Sequence, residues 1–357
     1  MESPPGLPLI EELTLEPPSL DERISLWAQA VPDARREAHE AVARSVRFTP
    51  GKIVEAAATA RGLARARGAT TPNAGELLRA ARRHATPRLG ALATPVHTSF
   101  TWNQLVLPPE QELHLREIAR RVTHEDTVLE RWGFGRGLSK GGLSALFSGP
   151  PGTGKTMAAA IVAREVGRDL YAIDLSQVVS KFIGETEKQL ERVFSEAEAT
   201  DAALFFDEAD ALFGKRGEIR DAHDRYANIE VGYLLQRIES FPGLAILATN
   251  LRKNMDDAFL RRLDVIVEFP LPDVSARARI WRGIWPAEAP VDASVDPELL
   301  AERFQLSGGH IRNIALTAAF AAADAGSSIT LERVLAAARR EYRKLSKLVN
   351  DADFALP

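Results

Sequence analysis

Two different patterns of apolar and polar residues divide the chain. Between residues 20 and 68, apolar positions recur every three to four residues among Ala, Arg and Glu, which predicts helices over 21–30, 34–46 and 50–68. Thr49 followed by Pro50 supplies the cap and the fixed φ that favour a helix start. Prolines crowd the first residues, so we expect an extended arm over 1–17 before a helical unit over 18–85.

Between residues 143 and 269 the pattern changes to short apolar runs separated by helical stretches. Such runs are typical of strands buried on both faces, and their alternation with helices predicts a parallel sheet with right-handed crossovers. An extended connector is expected over 86–110 and the α/β domain over 111–271. The cluster from Trp132 to Gly135 either lines a ligand pocket or packs in the core. The predicted strands are 143–147, 170–175, 203–206, 244–249 and 265–269.

From residue 272 the pattern is again wholly helical, and it repeats the N-terminal one. Helices are predicted over 275–284, 297–303, 309–325 and 331–348, in a unit over 272–348 followed by a tail over 349–357. Residues 48–68 align without a gap on 306–326, with identical pairs that include Gly51/Gly309, Ile53/Ile311, Thr59/Thr317 and Gly68/Gly326. Residues 18–85 are therefore predicted to be a second copy of the C-terminal unit, whose own α/β half is absent from this chain, either lost or removed.

The first apolar run ends in a complete G-x-x-x-x-G-K-[ST] loop. Its glycines let successive backbone N–H groups converge on phosphates, and the helix predicted from Lys155 to Glu165 adds the positive end of its dipole. We predict that Lys155 bridges the β- and γ-phosphates of a nucleoside triphosphate and that the Thr156 hydroxyl holds Mg²⁺. The loop consists of Gly149, Pro150, Pro151, Gly152, Thr153, Gly154, Lys155 and Thr156.

Polar side chains follow two further apolar runs at their carboxyl ends, where α/β sheets bind ligands. Asp207 and Glu208 follow the run 203–206, and Asn250 follows the run 244–249. Asp207 is suited to holding Mg²⁺ through its water shell, and Glu208 to orienting and deprotonating an attacking water. We expect Asn250 to hydrogen-bond either the γ-phosphate or that water.

Two groups outside these motifs have more than one interpretation. Arg261 and Arg262 either neutralise charge on a transferring phosphoryl group or are simply solvated. Gly309 opens a helix with a glycine-lined turn that we expect near the nucleotide, and Arg312 either reaches back to the phosphates or faces water.

A predicted loop also has two interpretations. It contains Lys181, Phe182 and Ile183 and is followed by Gly184. Its aromatic side chain either packs beneath the next helix or is exposed to grip a partner.

The composition narrows the class of protein. The absence of cysteine excludes disulfides and thiolate metal sites, and the seven histidines never fall into an H-E-x-x-H spacing, so Mg²⁺ is the only metal expected. A net charge of -4 gives no general attraction to nucleic acid. No apolar run approaches the roughly 20 residues of a membrane helix, and Met1–Ile10 lacks the features of a signal peptide. We expect a cytoplasmic protein with no membrane partner.

Together these motifs resemble the AAA+ ATPase superfamily and are most similar to its classical AAA clade. The resemblance covers residues 100–348 and implies a P-loop NTPase α/β domain with a C-terminal helical lid, using ATP and Mg²⁺. By resemblance, 149–156 is the Walker A motif, 205–208 ends Walker B, and Asn250 is sensor 1. Arg261 with Arg262 occupies the arginine-finger position, which in this family acts on nucleotide held by the neighbouring subunit of a ring, usually of six.

The same resemblance assigns the remaining segments. Lys181–Gly184 lies where the family carries an aromatic pore loop that drags a polypeptide through the ring, and 214–225 would be a second channel loop. The arginine pair departs from the common Arg-Arg-x-Gly-Arg form, which leaves the identity of the finger open. Ser307–Asn313 departs from the usual Gly-Ala-Asp, which leaves Arg312 open as sensor 2.

A narrower likeness is to bacterial AAA proteins encoded with extracellular contractile injection systems. It rests on residues 207–225 and 311–314 and implies the preparation or loading of protein cargo. Proteins of that kind can carry a degenerate first AAA module, which agrees with the helical copy at 18–85.

These observations favour an ATP-driven remodeller of protein substrates, working as a hexameric ring that threads a chain past Phe182. One alternative is a nucleic-acid motor or loader, although no basic tract, helix-turn-helix or zinc module supports it. Another is a nucleotide-gated scaffold with little turnover, against which Lys155, Glu208 and Asn250 argue.

Overall fold

The computed structural model describes residues 18–85, 93–135, 142–175, 185–209, 232–250, 260–345 and Phe354. The chain divides into two compact units. One contains residues 1–88 with 199–201, and the other contains 89–198 with 202–357.

The N-terminal unit is built from four helices around one apolar core. They are α1 (Leu20–Ala30), α2 (Arg36–Ser45), α3 (Pro50–Ala66) and α4 (Ala74–Ala85). Ser19 begins α1 with a reciprocal cap, because its hydroxyl accepts from the Glu22 amide while the Glu22 carboxylate accepts from the Ser19 amide. Trp27, Phe48 and Leu77 are completely buried between the helices.

The second unit begins with a six-stranded sheet. Its strands and helices in chain order are β1 (Ala93–Val96), α5 (Pro109–Glu125), β2 (Leu143–Ser148), α6 (Lys155–Glu165), β3 (Leu170–Asp174), α7 (Glu185–Thr200), β4 (Ala203–Asp207), β5 (Leu244–Thr249) and β6 (Val265–Glu268). The strand order is β1-β3-β4-β5-β2-β6, and every pairing is parallel except that of β1 with β3. The fold is therefore the predicted α/β P-loop architecture, with one antiparallel edge strand added.

Helices cover both faces of this sheet because successive strand residues point in opposite directions. On one face, α5 and α6 pack through Leu115 and Ile161 against Phe147, Phe205 and their neighbours. On the other face, α7 and the helical residues 232–240 pack against Leu146, Phe206 and Leu247. Burial on both faces explains why the strands are apolar throughout.

Four helices follow the sheet and enclose a core of their own. They are α8 (Val274–Gly283), α9 (Pro297–Arg303), α10 (Gly308–Asp324) and α11 (Leu331–Lys344). Trp281, Phe304 and Ile311 are fully buried among them. We call residues 272–345 the lid. No described helix is both long enough and apolar enough to cross a membrane.

The edge strand β1 lies inside the segment that the sequence predicts to be a connector. Thr94 pairs with Ala172 and Pro95 with Tyr171 in an antiparallel ladder. Four residues with a proline among them carry almost no strand signal, and a proline is tolerated here because the strand is at the edge of the sheet. The segment from β1 onward therefore belongs to the α/β unit.

Candidate active site

The central strand β2 ends in a turn that requires glycine at three positions. Gly149, Gly152 and Gly154 have φ values of 149°, 75° and 102°, in the region that favours glycine. A Cβ on Gly149 would also lie 2.1 Å from the carbonyl oxygen of Phe269. The turn leads directly into α6, whose first turn receives no side-chain cap. Uncapped N–H groups at a helix start form an anion site.

Lys155 holds this turn closed with its ammonium group. Nζ donates to the carbonyl oxygens of Gly149 at 2.7 Å and Pro150 at 3.1 Å, and to Oδ1 of Asn250 at 2.8 Å. The side chain is only 8% exposed. A buried ammonium surrounded by neutral oxygens is poised to bind an anion, because a charged phosphate oxygen is a stronger acceptor than a carbonyl.

The strand order places the acidic residues beside this loop. β5 lies between β2 and β4, so Asn250 at the end of β5 and Asp207 at the end of β4 emerge at the same edge as the loop. Asp207 Oδ1 accepts from the Glu208 amide at 2.9 Å. Glu208 follows with a left-handed backbone, φ 53°, and an exposed side chain.

The lid contacts the loop through the start of α10. The Gly309 amide donates to the Gly152 carbonyl at 2.8 Å, and a Cβ at Gly309 would lie 3.0 Å from Gly152 Cα. His310 Nδ1 is 2.7 Å from Glu341 Oε1 and ties this turn to α11. Burial raises the pKa of Glu341, but its hydrogen bonds with His310 and Asn313 outweigh that effect and leave the pKa below its ordinary value.

Loop, sheet edge and lid enclose a cavity of about 560 Å³. Such a volume is in the range of small-molecule and cofactor sites. The lining residues come from the glycine turn and α6 (Pro151–Met157), the sheet edge (Asp207, Glu208, Asn250), the lid (Pro272, Arg279, Ile280, Gly283, Ile284, Gly308, Gly309, Arg312) and the segment before α5 (Phe100, Asn103, Gln104, Leu105, Val106).

Comparison with known proteins gives this part of the chain a family. Residues 145–271 match the family described as "ATPase family associated with various cellular activities (AAA)". They form an AAA ATPase domain. The match supports ATP hydrolysis as the chemistry of the cavity.

Individual relatives share about a third of their residues with this chain. A katanin p60 ATPase-containing protein of Danio rerio, of the kind named A-like 1, is 31% identical over 246 residues, which are 65% of this chain and 48% of the relative. The Homo sapiens protein of the same name is 30% identical over the same length and shares. "Proteasome-activating nucleotidase" of Aeropyrum pernix is 35% identical over 211 residues, 57% of this chain and 51% of the relative. The chain thus spans about half the length of these curated relatives.

Most residues that the motifs single out line the cavity of the AAA domain. They are Pro151, Gly152, Thr153, Gly154, Lys155, Thr156, Asp207, Glu208, Asn250, Gly309 and Arg312. Gly149 and Pro150 lie behind it and act through their carbonyl groups, which hold Lys155. Arg261 and Arg262 are exposed and do not line it. The predicted loop Lys181, Phe182 and Ile183 lies outside the described residues.

Two sets of lining residues have no motif. Arg279 is exposed on α8 and, like Arg312, forms no ion pair within the described ranges. Residues 103–106 form the wall opposite α8. The reciprocal cap between Thr101 and Gln104 is a sequence signal that could have marked a structured turn there.

Residues 99–107, which we call the strap, are fastened to the helices of the AAA domain. The Trp102 indole N–H donates to the carboxylate of Glu165, and the Arg116 guanidinium lies 4.5 Å from the Trp102 ring centroid. Arg164 donates to the carbonyl of Phe100 at 3.3 Å. Leu105 reaches the glycine turn, since its Cδ1 is 3.6 Å from the position of a Cβ on Gly154.

The strap replaces the aromatic cluster that the sequence offers as a pocket wall. Trp132 and Phe134 are 68% and 67% exposed, and neither lines the cavity. Both interpretations of that cluster, pocket and core, are therefore wrong. A period of three to four residues is absent around Gly133 and Gly135, so the sequence alone carries no indication of which way these rings face.

The oxygen donors of the cavity suit Mg²⁺. The Thr156 hydroxyl and the Asp207 carboxylate both line it, and the described residues contain no group of three or more His, Asp or Glu side chains placed to hold a metal by themselves. Mg²⁺ usually takes one or two protein ligands together with phosphate oxygens and water. This donor set fits such an ion.

Proposed function

We propose that this chain hydrolyses ATP in the cavity between its sheet and its lid and uses the cycle to remodel a protein substrate. The observation that carries the proposal is the convergence of Lys155, Asp207, Glu208 and Asn250 on one cavity beside an uncapped helix start.

The glycine turn and Lys155 bind the phosphates. The three oxygens that Lys155 now contacts belong to two carbonyl groups and one amide, all neutral. The phosphates displace some of these acceptors, and the freed Asn250 then turns its amide toward the γ-phosphate or the attacking water. Asn250 therefore responds directly to whether the phosphate site is filled.

The two carboxylates divide the chemistry. Thr156 and Asp207 hold Mg²⁺, which supplies positive charge against the phosphate oxygens. Glu208, one residue beyond the strand, orients a water and accepts its proton as the water attacks the γ-phosphorus. Arg312 and Arg279 approach from the lid and add positive charge to the same cavity.

The paired arginines act on a neighbouring subunit. Neither lines the cavity of its own chain, which supports a role in trans. Arg262 is 3.3 Å from Glu239, whereas Arg261 forms no ion pair among the described residues. We therefore assign the finger to Arg261 and expect a ring, of six subunits by resemblance to AAA+ proteins.

A protein substrate agrees best with the relatives. "Proteasome-activating nucleotidase" is named for its action on a protein complex, and the katanin relatives are named as ATPase-containing subunits. Phe182 would grip the substrate chain in the centre of the ring. Cargo of a contractile injection system in a bacterial cytoplasm is a narrower form of the same proposal.

Loss of Lys155 tests the site. The Lys155→Ala variant should bind a fluorescent ATP analogue about 10- to 100-fold more weakly, because it loses a charge-assisted contact to the phosphates. Its steady-state hydrolysis should fall to background. Lys188→Ala, on the exposed face of α7, is the matched control and should behave like the wild type. Unchanged affinity and turnover in Lys155→Ala would place the nucleotide elsewhere.

A further inference from the structure

The two helical units share one pattern of internal hydrogen bonds. Arg23 is buried in the N-terminal unit and donates through Nε to the carbonyl of Ala43 at 3.1 Å. Arg277 is equally buried in the lid and donates through Nε to the carbonyl of Ala301 at 2.8 Å. In both, Nη1 bonds the carbonyl of the proline five positions earlier, at 2.8 and 2.7 Å. The units are equivalent residue by residue.

Their long helices also end alike. Gly68 after α3 and Gly326 after α10 are both left-handed, with φ of 79° and 59°. In each unit the amide after this glycine bonds back to the helix, at 2.9 and 3.0 Å. Both pairs, 43 with 301 and 68 with 326, differ by 258 positions, which makes Gly51 the equivalent of Gly309 (51 + 258 = 309).

In the lid, glycine at this position serves a contact with another backbone. Gly309 approaches the glycine turn so closely that its amide bonds the Gly152 carbonyl, and a Cβ would lie 3.0 Å from Gly152 Cα. Real Cβ atoms are rarely so close to a backbone atom, so a side chain here would push the turn away.

In the N-terminal unit no such contact exists, yet the glycine is present. A Cβ on Gly51 would have no atom of the described chain within 4 Å. Gly51 is exposed in the first turn of α3, where its φ is not one that requires glycine. Because glycine is less favourable than alanine in a helix, nothing inside this unit explains it.

The surroundings of Gly51 have lost the phosphate-facing cations of the lid. Val54 stands at the position of Arg312 (54 + 258 = 312) and is 63% exposed. Ser25 stands at the position of Arg279, with the 254-position difference that relates Arg23 to Arg277. This surface therefore suits an uncharged backbone better than a polyphosphate.

We propose that Thr49, Pro50, Gly51 and Val54, the Gly51 surface, dock the glycine turn of an α/β domain outside residues 1–357. The lid shows what covers this surface in its second copy, namely a turn between a strand and a helix. A second copy of this chain is a poor occupant because its own Gly152 turn is already covered by its own Gly309. The inference rests on packing and stands apart from ATP hydrolysis.

The first test uses the purified full chain alone. If Gly51 serves only an absent partner, Gly51→Ala should raise the melting temperature of the N-terminal unit by about 2 °C or more, since alanine favours the helix and meets no atom. A lower melting temperature would show that the unit itself needs this glycine and would overturn the proposal.

The second test identifies the occupant. The full chain, with p-benzoyl-phenylalanine in place of Val54, is irradiated in the cells that produce it, and the cross-linked peptide is sequenced. The control carries the probe in place of Arg36, which is 86% exposed at the other end of α2. The proposal expects a position-54 adduct on a glycine turn that joins a strand to a helix, from a domain outside this sequence.

Each other outcome counts against the proposal. An adduct on 149–156 of a second copy would make the contact homotypic, and an adduct equally abundant at positions 54 and 36 would be nonspecific. The absence of any adduct would also overturn it. A further variant combines the probe with Gly51→Leu, which blocks close approach of a backbone, and it should lose at least nine-tenths of the adduct.

Discussion

Glu208 combines an exposed carboxylate with a strained backbone. Its φ of 53° is shared by one other non-glycine residue, Asp201, within the described ranges. A left-handed conformation costs a side chain with a Cβ about 1 kcal/mol or more, and such strain persists where the position of a side chain matters. Since the carboxylate has no packing of its own, the strain is best explained by the direction in which it holds Glu208.

Two substitutions separate the backbone from the carboxylate. Glu208→Gly should remove the strain and raise the melting temperature by about 2–4 °C, while hydrolysis falls about 10²- to 10⁴-fold for want of a base. Glu208→Gln keeps the backbone cost, so hydrolysis should fall equally with an unchanged melting temperature. Calorimetry and a steady-state phosphate assay measure both. A glycine variant that melts lower than the glutamine variant would show that the conformation is not strained.

Lys155, Asp207 and Asn250 could be predicted because their roles are encoded locally. Each directly follows a strand or its turn, and parallel strands deliver their carboxyl ends to one edge. Arg279 could not be predicted, because a surface arginine on α8 has no local mark of facing a cavity. It faces the cavity only because Gly309 seats the lid on the glycine turn.

The seat of the lid is a contact between two backbones. The ideal Cβ of Gly309 is 3.0 Å from Gly152 Cα, but that of Gly308 has only ordinary contacts, at 3.6 Å to the Gly152 oxygen and 3.7 Å to Ile280 Cδ1. Gly152 cannot easily retreat, because its own turn needs a φ of 75° and its carbonyl is bonded to the lid.

This geometry predicts different effects for two adjacent glycines. Gly309→Ala should force the lid from the turn, cost about 1–3 kcal/mol of the packing there and weaken ATP binding about 5- to 100-fold. Gly308→Ala is the matched control and should bind ATP as the wild type does. Titration of both variants with a fluorescent ATP analogue measures the difference. Equal affinities in the two variants would contradict the proposed seat.

An ion pair between α3 and α4 gives the N-terminal unit a pH dependence. Arg67 donates to both carboxylate oxygens of Glu76, at 2.7 and 3.1 Å, and the Asn73 amide donates to one of them at 2.9 Å. These bonds lower the pKa of Glu76 to about 2. Because the folded pKa lies below the unfolded one, the stabilisation is present above about pH 4.3 and is lost as the pH falls toward 2.

Glu76→Gln should therefore lower the melting temperature of the N-terminal unit at pH 7. The difference from the wild type should shrink between about pH 4.5 and pH 2, where the wild-type carboxylate also loses its charge. Glu40→Gln, from the exposed pair with Arg36, is the control and should change little at either pH. Circular dichroism melts across this range measure the effect, and a difference that grows on acidification would refute the assignment.

The strap and β1 show why part of the cavity wall escapes sequence analysis. Helices and buried strands repeat a pattern over many residues, but β1 has four residues and the wall formed by residues 103–106 has no period. Their positions come from contacts made far along the chain, such as those of Trp102 with Glu165 and Arg116. By contrast, α6 matches its predicted bounds because a glycine turn begins it and Gly167 follows its end.

The proposed site is incomplete in a single chain. Within the described ranges, the cavity contains the phosphate turn, both carboxylates, Asn250 and the two lid arginines, but neither Arg261 nor Arg262. A group that neutralises the charge of the transferring phosphoryl from outside must come from another subunit. Hydrolysis per subunit should therefore rise with protein concentration, and mass in solution should increase with ATP.

Mixing two inactive variants tests whether the finger acts between subunits. Glu208→Gln lacks the base but supplies Arg261, and Arg261→Ala lacks the finger but retains a complete cavity. In an equal mixture, half of the cavities keep the base and half of their neighbours keep the finger, so about one quarter of wild-type hydrolysis should return. Arg262→Ala should remain active alone, because that side chain is engaged by Glu239. If the mixture stays as inactive as its components at concentrations where the wild type assembles, Arg261 does not complete a neighbour's site.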